Sequence, residues 1–347
     1  MSVRVALDAF GSDECPAAEL EAAVIAAREG IDVALVGDAE VLSTGLEALV
    51  GEGAHGLPLR IVDAKERISM DDSPARAIRS KPSASMPVCF DLVKQGEADA
   101  VVSAGNSGAM LACGLFKSGR IKGVDRPAIV SAFPTRDGQC CMLDMGANAE
   151  CRPLNLVQFA LMGAVYARVR QGRPRPRVGL LSNGSEPGKG TSLTRAAHAL
   201  LEEAQIAELE YLGYVEGKDV FAGDVDVAVT DGFTGNVALK FVEGAMGLVS
   251  HLLRDSVDAR LVRKVGAMLA RPAFVALKDH LDPDSYGGAP LLGVDGVVII
   301  CHGGSSAVAL ANGLRQASNF HDGGLTSEVA QSLAAHGALM QAAKDTE

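Results

Sequence analysis

The sequence predicts an α/β fold organised around a mostly parallel sheet. Three observations carry that expectation: short apolar, β-branched runs recur along the chain, stretches of helical composition separate most of them, and six glycine-punctuated polar loops stand directly after apolar runs. Strands alternating with helices argue for βαβ units, whose right-handed crossovers cover both faces of a sheet. The carboxyl ends of such strands face one crevice, where ligands bind. The six loops are therefore read as one shared site. A chain of 347 residues with 48% hydrophobic content can bury a substantial core, as one large domain or two smaller ones.

The first run, residues 3–7, reads as a strand ending at Asp8-Ala9-Phe10-Gly11-Ser12-Asp13. Asp8 and Asp13 bracket this loop as two carboxylates, but no histidine lies near them in sequence, so no metal cage is expected. A GxGxxG dinucleotide fingerprint is absent after this strand. An Ala/Glu-rich helix follows over 17–28, then strands at 33–36 and 59–62. Met70-Asp71-Asp72-Ser73-Pro74, with Arg79 and Lys81, composes a polar segment that fits a solvated helix. The strand at 100–102 leads into Ser103-Ala104-Gly105-Asn106-Ser107-Gly108 and a helix over 109–117. There the backbone N–H groups and a hydroxyl can bind an anion at the positive helix end, or form a plain capped βα turn. Strands at 128–132 and 142–143 precede Asp144-Met145-Gly146-Ala147-Asn148, and a helix occupies 156–168. The basic, Pro-rich stretch 171–177 is the clearest linker-like break, between two halves or only between two strands.

The strand at 178–181 opens onto Ser182-Asn183-Gly184-Ser185-Glu186-Pro187-Gly188-Lys189-Gly190-Thr191. Its likeness to a P-loop is superficial, because Gly184 and Gly188 enclose three residues and Gly190 follows the lysine where Ser or Thr is needed. Lys189 can still serve as a point charge for phosphate, or be an exposed surface lysine. A helix over 193–204 leads to the strand at 225–229 and to Asp231-Gly232-Phe233-Thr234-Gly235-Asn236, which supplies a carboxylate, a hydroxyl and an amide before a helix containing Lys240. The bland reading is an Asp/Asn turn with a Thr cap. From 241 to 281 the pattern becomes long helix, with Val249, Leu252, Leu253, Val257, Leu261, Val265, Met268 and Leu269 at helical spacing among arginines and lysines. Pro272 ends or kinks it. The last strand, 297–300, presents His302 before Gly303-Gly304-Ser305-Ser306, where a general acid or base would reach the crevice. A lone histidine is otherwise a structural residue.

Composition narrows the function classes. The seven cysteines show no CxxC spacing and several fall inside apolar runs, which points to a reducing, cytoplasmic compartment without a zinc site. The net charge of −11 and the absence of Trp argue against a nucleic-acid binder. The N-terminus turns acidic at Asp8 before a signal-peptide core can form, and no run approaches the ~18 apolar residues of a membrane span.

Taken together and in order, these motifs resemble the bacterial phosphate acyltransferases, which make acyl-phosphate from acyl-[acyl carrier protein] at the start of membrane phospholipid synthesis. The resemblance runs through Asp8–Asp13, 70–74 with Arg79 and Lys81, 103–109, 143–148 with Pro153, 184–186 with Lys189 and Gly190, 215–217, 231–236 with Leu239 and Lys240, and 286–293 leading to His302 and Gly303. It implies a Rossmann-like three-layer α/β/α fold, similar to isocitrate and isopropylmalate dehydrogenases and to phosphotransacetylase. One large domain over 1–347 would hold a deep cleft, and a protruding amphipathic helical pair over 249–281 would touch the inner face of the membrane. It further implies a homodimer acting on inorganic phosphate and acyl-[acyl carrier protein], with acyl-CoA as another donor; no cofactor and no metal site are expected. The product would pass to a membrane glycerol-3-phosphate acyltransferase. Phe10, Ser12, Ser182, Pro187 and Thr191 depart from the family pattern and keep the loops small and polar.

In the implied reaction phosphate attacks the thioester carbonyl, and a tetrahedral oxyanion forms before thiolate leaves. The resemblance and the loop chemistry together assign Gly105, Asn106, Ser107 and Lys189 to positioning phosphate. Asn148, Asn236 and His302 would polarise the carbonyl or protonate the sulfur, and Asp231 would orient a neighbour. Asp8, Gly11, Ser103, Gly184, Glu186 and Thr234 complete the expected substrate-binding set. An acidic carrier protein would need a basic patch, at Arg173, Arg175 and Arg177 or along Arg254–Lys264. Two rival readings stand beside this one: an NAD-dependent 2-hydroxy-acid dehydrogenase of the same fold, and a membrane-recruited scaffold that binds acyl carrier protein without turnover.

Overall fold

The computed structural model describes residues 2–51, 56–136, 138–281 and 287–346. Along the chain come β1 (Arg4–Asp8), α1 (Ala17–Arg28), β2 (Asp32–Gly37), α2 (Ala39–Val50), β3 (Leu59–Asp63), α3 (Pro74–Ser80), α4 (Ser85–Lys94), β4 (Ala100–Ser103) and α5 (Ser107–Cys113). Next are β5 (Ala128–Ile129), β6 (Ser131–Thr135), β7 (Gly138–Leu143), α6 (Pro153–Gln171), β8 (Arg177–Leu181), α7 (Ser192–Ala204), β9 (Glu210–Val215), α8 (Asp219–Ala222) and β10 (Val227–Val229). The chain closes with α9 (Gly232–Asp258), α10 (Leu261–Leu269), α11 (Arg271–Leu281), β11 (Ala289–Leu292), β12 (Val297–Ile300), α12 (Ala307–Asp322), α13 (Leu325–Ala335) and α14 (Gly337–Asp345).

Two sheets result. One has seven strands in the order β3-β2-β1-β4-β12-β11-β5, the other five in the order β6-β7-β10-β8-β9. β3, β2, β1, β4 and β12 are parallel, as are β7, β10, β8 and β9, while β11 and β6 run against their neighbours. The parallel strands β1, β2, β4, β10 and β12 are apolar nearly throughout, as strands buried on both faces are. The chain passes between sheets at Val130, which has no exposed surface. Before it, β5 pairs with β11; after it, β6 pairs with β7. The single strand expected over 128–132 is thereby divided.

α6 holds the second sheet to the C-terminal helices. Its residues 154–167 are all buried, as in a helix that is covered on every side, and it packs on β7, β8, β10, α7, α13 and α14. Gly163 allows close approach to the sheet, since a Cβ there would lie 2.6 Å from Val227 Cγ1. The 171–177 stretch joins α6 to β8 inside one sheet and separates no halves. It is tied down by Asp226, 5% exposed, which accepts from Arg177 N at 2.8 Å and Arg177 Nη2 at 2.9 Å. Burial pushes that carboxyl up, but the guanidinium prevails and holds it below the usual carboxylate range.

β9 and β11 were not legible as strands. A left-handed Gly213 (φ +78) and a bulge interrupt the alternation of β9, and Pro290 sits inside β11. The segment expected to protrude as a helical pair is the outer half of α9 together with α10 and α11. Leu261, Val262 and Leu269 there are 78%, 82% and 77% exposed. The break before α11 falls at Ala270, so Pro272 occupies the first turn of a new helix, where a missing N–H costs nothing. His280 Nε2 meets Thr135 O at 2.9 Å, returning the arm to β6. No helix among the described residues is long and apolar enough to cross a membrane.

Candidate active site

Strand register brings the loops together. Asp8 of β1 and Ile300 of β12 both pair level with Ser103 of β4, so loops 8–13, 103–107 and 301–306 leave the first sheet along one edge. Leu143, Val229 and Leu180 are level in the second sheet, so loops 144–148, 231–236 and 182–191 do the same there. A cleft of about 540 Å³ is lined from both sides, by Ser107, His302 and Ser305 of the first group and by Met145, Gly146, Asn236 and Lys240 of the second.

On the first side Ser107 and His302 are exposed to the cleft, while most of the other expected residues hold the loops in shape. Asp8 is 1% exposed and accepts from Ser103 Oγ at 2.7 Å and Phe10 N at 3.3 Å. Burial raises its pKa against those bonds. Gly11 fits between Asp8 and Gly105: a Cβ there would lie 2.8 Å from Gly105 N and 2.9 Å from Asp8 Oδ2. Gly105 N itself donates to Ser103 Oγ at 3.0 Å. Asn106 caps α5 by accepting from Ala109 N, and its amide donates to Met70 O at 3.0 Å, which secures the 70–74 segment. His302 Nδ1 accepts from Gly304 N at 3.1 Å, a bond that leaves the ring proton of the neutral imidazole on Nε2. α12 begins just beyond, capped by Ser306 Oγ.

On the second side Asp144 is the fixed point. It has no exposed surface and accepts from Ile129 N, Gly146 N, Ala147 N, Asn148 N and Asn148 Nδ2, all within 3.2 Å. Burial raises its pKa against this set of donors. Asn148 is buried with its amide donating to Pro127 O at 2.7 Å and to Asp144, so it faces away from the cleft. Asp231 caps α9 through Thr234 N and Thr234 Oγ1, both at 2.8 Å. Asn236, one turn on, is exposed and reaches over Gly146, whose φ of +130 and lack of a Cβ leave the room. Glu186 and Lys189 are exposed on the neighbouring loop, with the Lys189 carbons laid over buried Gly184. They are not among the described residues that line the cleft. Tyr286, part of one expected motif, lies outside the described residues. No group of three His, Cys, Asp or Glu among the described residues is placed to hold a metal.

A family model described as "Fatty acid synthesis protein" matches residues 3–328. The phosphate acyltransferase of Geotalea uraniireducens is 50% identical over 332 residues, covering 95% of this chain and 94% of that one. That of Syntrophotalea carbinolica is 50% identical over 314 residues, covering 90% and 89%. The chain belongs to the phosphate acyltransferase family. Solved structures agree on the fold: a phosphotransacetylase from Streptococcus pyogenes superposes with a TM-score of 0.60 at 15% identity, covering 92% of this chain and 94% of that one. The EutD phosphotransacetylase from Staphylococcus aureus gives 0.57 at 17% identity over the same shares.

In this phosphate acyltransferase family member the cleft also contains residues that sequence reasoning passed over as site residues. Lys240 is its cationic side chain among the described lining residues, paired with Glu243 at 2.8 Å. Its spacing, one helical turn beyond Asn236, was the available signal. Ser305, Tyr166 and Gln316 line it too. The last two come from the middle of helices and carry no loop signature.

Proposed function

We propose that the chain transfers a fatty acyl group from an acyl thioester to inorganic phosphate in this cleft, supplying acyl-phosphate for membrane phospholipid synthesis. The observation that carries this reading is the meeting of Ser107, Asn236, Lys240 and His302, from both sheets, on one cleft whose remaining walls are largely apolar. Phosphate needs a cation and hydroxyl donors, which Lys240 and Ser107 supply. The developing oxyanion needs N–H donors, which Asn236 and His302 Nε2–H supply. As the carbon–sulfur bond breaks, the electron pair leaves on sulfur, a good leaving group, so no covalent enzyme intermediate is required. Lys189, on the adjacent loop at the same sheet edge, is a second cation for the incoming anion. Asp231, Thr234, Asn106 and Asn148 act by holding the loops rather than by touching substrate.

Acyl-[acyl carrier protein] is the donor, with acyl-CoA as a substitute; the protein works as a homodimer. Its exposed α9–α11 arm rests on the membrane surface, near the glycerol-3-phosphate acyltransferase that consumes the product. The test is phosphate-dependent thiol release from a long-chain acyl-[acyl carrier protein], with acyl-phosphate trapped as hydroxamate. Release should require phosphate, and Lys240→Ala should raise the phosphate KM about tenfold, the scale of one charge-assisted contact. A folded protein that releases no thiol with phosphate, from either the carrier-protein or the CoA donor, would overturn the assignment.

A further inference from the structure

The cleft continues inward past its polar mouth. α12 opens beside His302, and Gln316 lies nine residues beyond Ala307 on it, about 14 Å further along the helix axis. Gln316 and, from α6, Tyr166 line the cleft there, and both are buried at 5% and 1% exposure. The same cleft is walled by Ile129, Ala132, Met145 and Ile300, with Ser131 among them. Gly287, at φ +79, faces the glutamine, since a Cβ there would lie 3.1 Å from Gln316 Oε1. That oxygen is buried and has no hydrogen-bond partner among the described residues. The Tyr166 hydroxyl is hydrogen-bonded to the side chains of Gln316 and Arg170.

An apolar channel suits a run of methylenes, each of which gains by leaving water. A carboxamide whose acceptor is already unmet does not suit one, because the chain cannot hydrogen-bond it. We propose that Gln316, backed by Tyr166, ends the acyl channel and thereby sets the longest chain the cleft takes well. This rests on the acyl-transfer reading above and adds to it a specificity-determining residue. An apolar side chain of similar size gives up no partner of that oxygen among the described residues, and the Tyr166 hydroxyl keeps its hydrogen bond with Arg170 when the amide is removed.

The experiment compares the wild-type protein with Gln316→Leu and, as a second apolar replacement of similar length, Gln316→Met, using dodecanoyl and stearoyl donors. In both variants the stearoyl-to-dodecanoyl ratio of kcat/KM should rise about tenfold, the scale of one unpaired buried carbonyl. An unchanged ratio in a folded variant overturns the proposal. Calorimetric binding of unreactive thioether analogues of the two acyl-CoAs gives the same comparison without turnover. A wild-type protein that does not turn over, yet whose length preference in binding shifts in the variants, would sink the acyl-transfer reading and leave the channel end standing. Length preference in binding that does not move would sink the channel end alone.

Discussion

Asp144 gathers five donors on two oxygens, and everything on the second side of the cleft depends on that carboxylate. Replacement by Asn keeps the shape but turns an NH₂ toward groups that donate, so Asp144→Asn should lose about 3 kcal/mol in chemical denaturation. Because its native pKa is raised by burial, its stabilising contribution is full below the ordinary carboxylate range and is lost as pH rises through the raised native value. The Asn variant should therefore show a shallower fall in stability from acid to neutral pH; an equal slope would remove Asp144 as a source. The same residue shows why site roles were only half legible in the sequence. Asp, Asn and Ser after a strand read alike whether they cap, brace or bind. The structure divides them: Asn106, Asn148 and Asp231 are engaged by backbone, and Ser107, Asn236 and His302 face the cleft.

At the scale of elements, α9 tests how tightly a helix is seated on its loop. Gly235 comes so close to the Asp144 loop that a Cβ would lie 2.0 Å from Asp144 O, and one on Gly232 would lie 2.6 Å from Asn148 O. Gly235→Ala should cost about 3 kcal/mol and most of the activity, since backbone must move and Asn236 with it. Gly244→Ala, further along the same helix with nothing within 4 Å, should instead stabilise by about 1 kcal/mol. Thermal denaturation of the pair distinguishes seating from propensity, and equal signs would refute it. The parallel strands and their loops were readable because a strand covered on both faces must be apolar throughout, and a Gly-rich turn marks where it leaves the sheet. β9 and β11 were not, because a bulge, a glycine and a proline erase the pattern that only pairing restores. α6 was readable as a helix at most and α12 was not read at all, and no sequence signal placed Gln316 and Tyr166 at one end of the cleft.

The whole molecule is acidic, with a net charge of −11, yet it extends an arm on which Leu248, Leu261, Val262, Met268 and Leu269 are each more than half exposed. Apolar surface of this extent marks an interaction face, and arginines and lysines among it suit anionic headgroups. Leu261→Asp with Leu269→Asp should weaken co-sedimentation with anionic lipid vesicles about tenfold or more, while turnover of a soluble thioester stays at the wild-type rate. Undiminished sedimentation would show that some other face does the docking. The seating of α9 bears on how such docking could coexist with catalysis. A helix of 27 residues is a rod about 40 Å long, clamped at its inner end by Gly232 and Gly235 and packed further out against α10, with the arm tied back to β6 through His280. Asn236 stands one residue from that clamp, so a tilt that sweeps the far tip through several ångströms shifts Asn236 by a small fraction of one. With its fulcrum beside the working residue the rod insulates rather than transmits, so small displacements of the arm at a surface leave the cleft in tune.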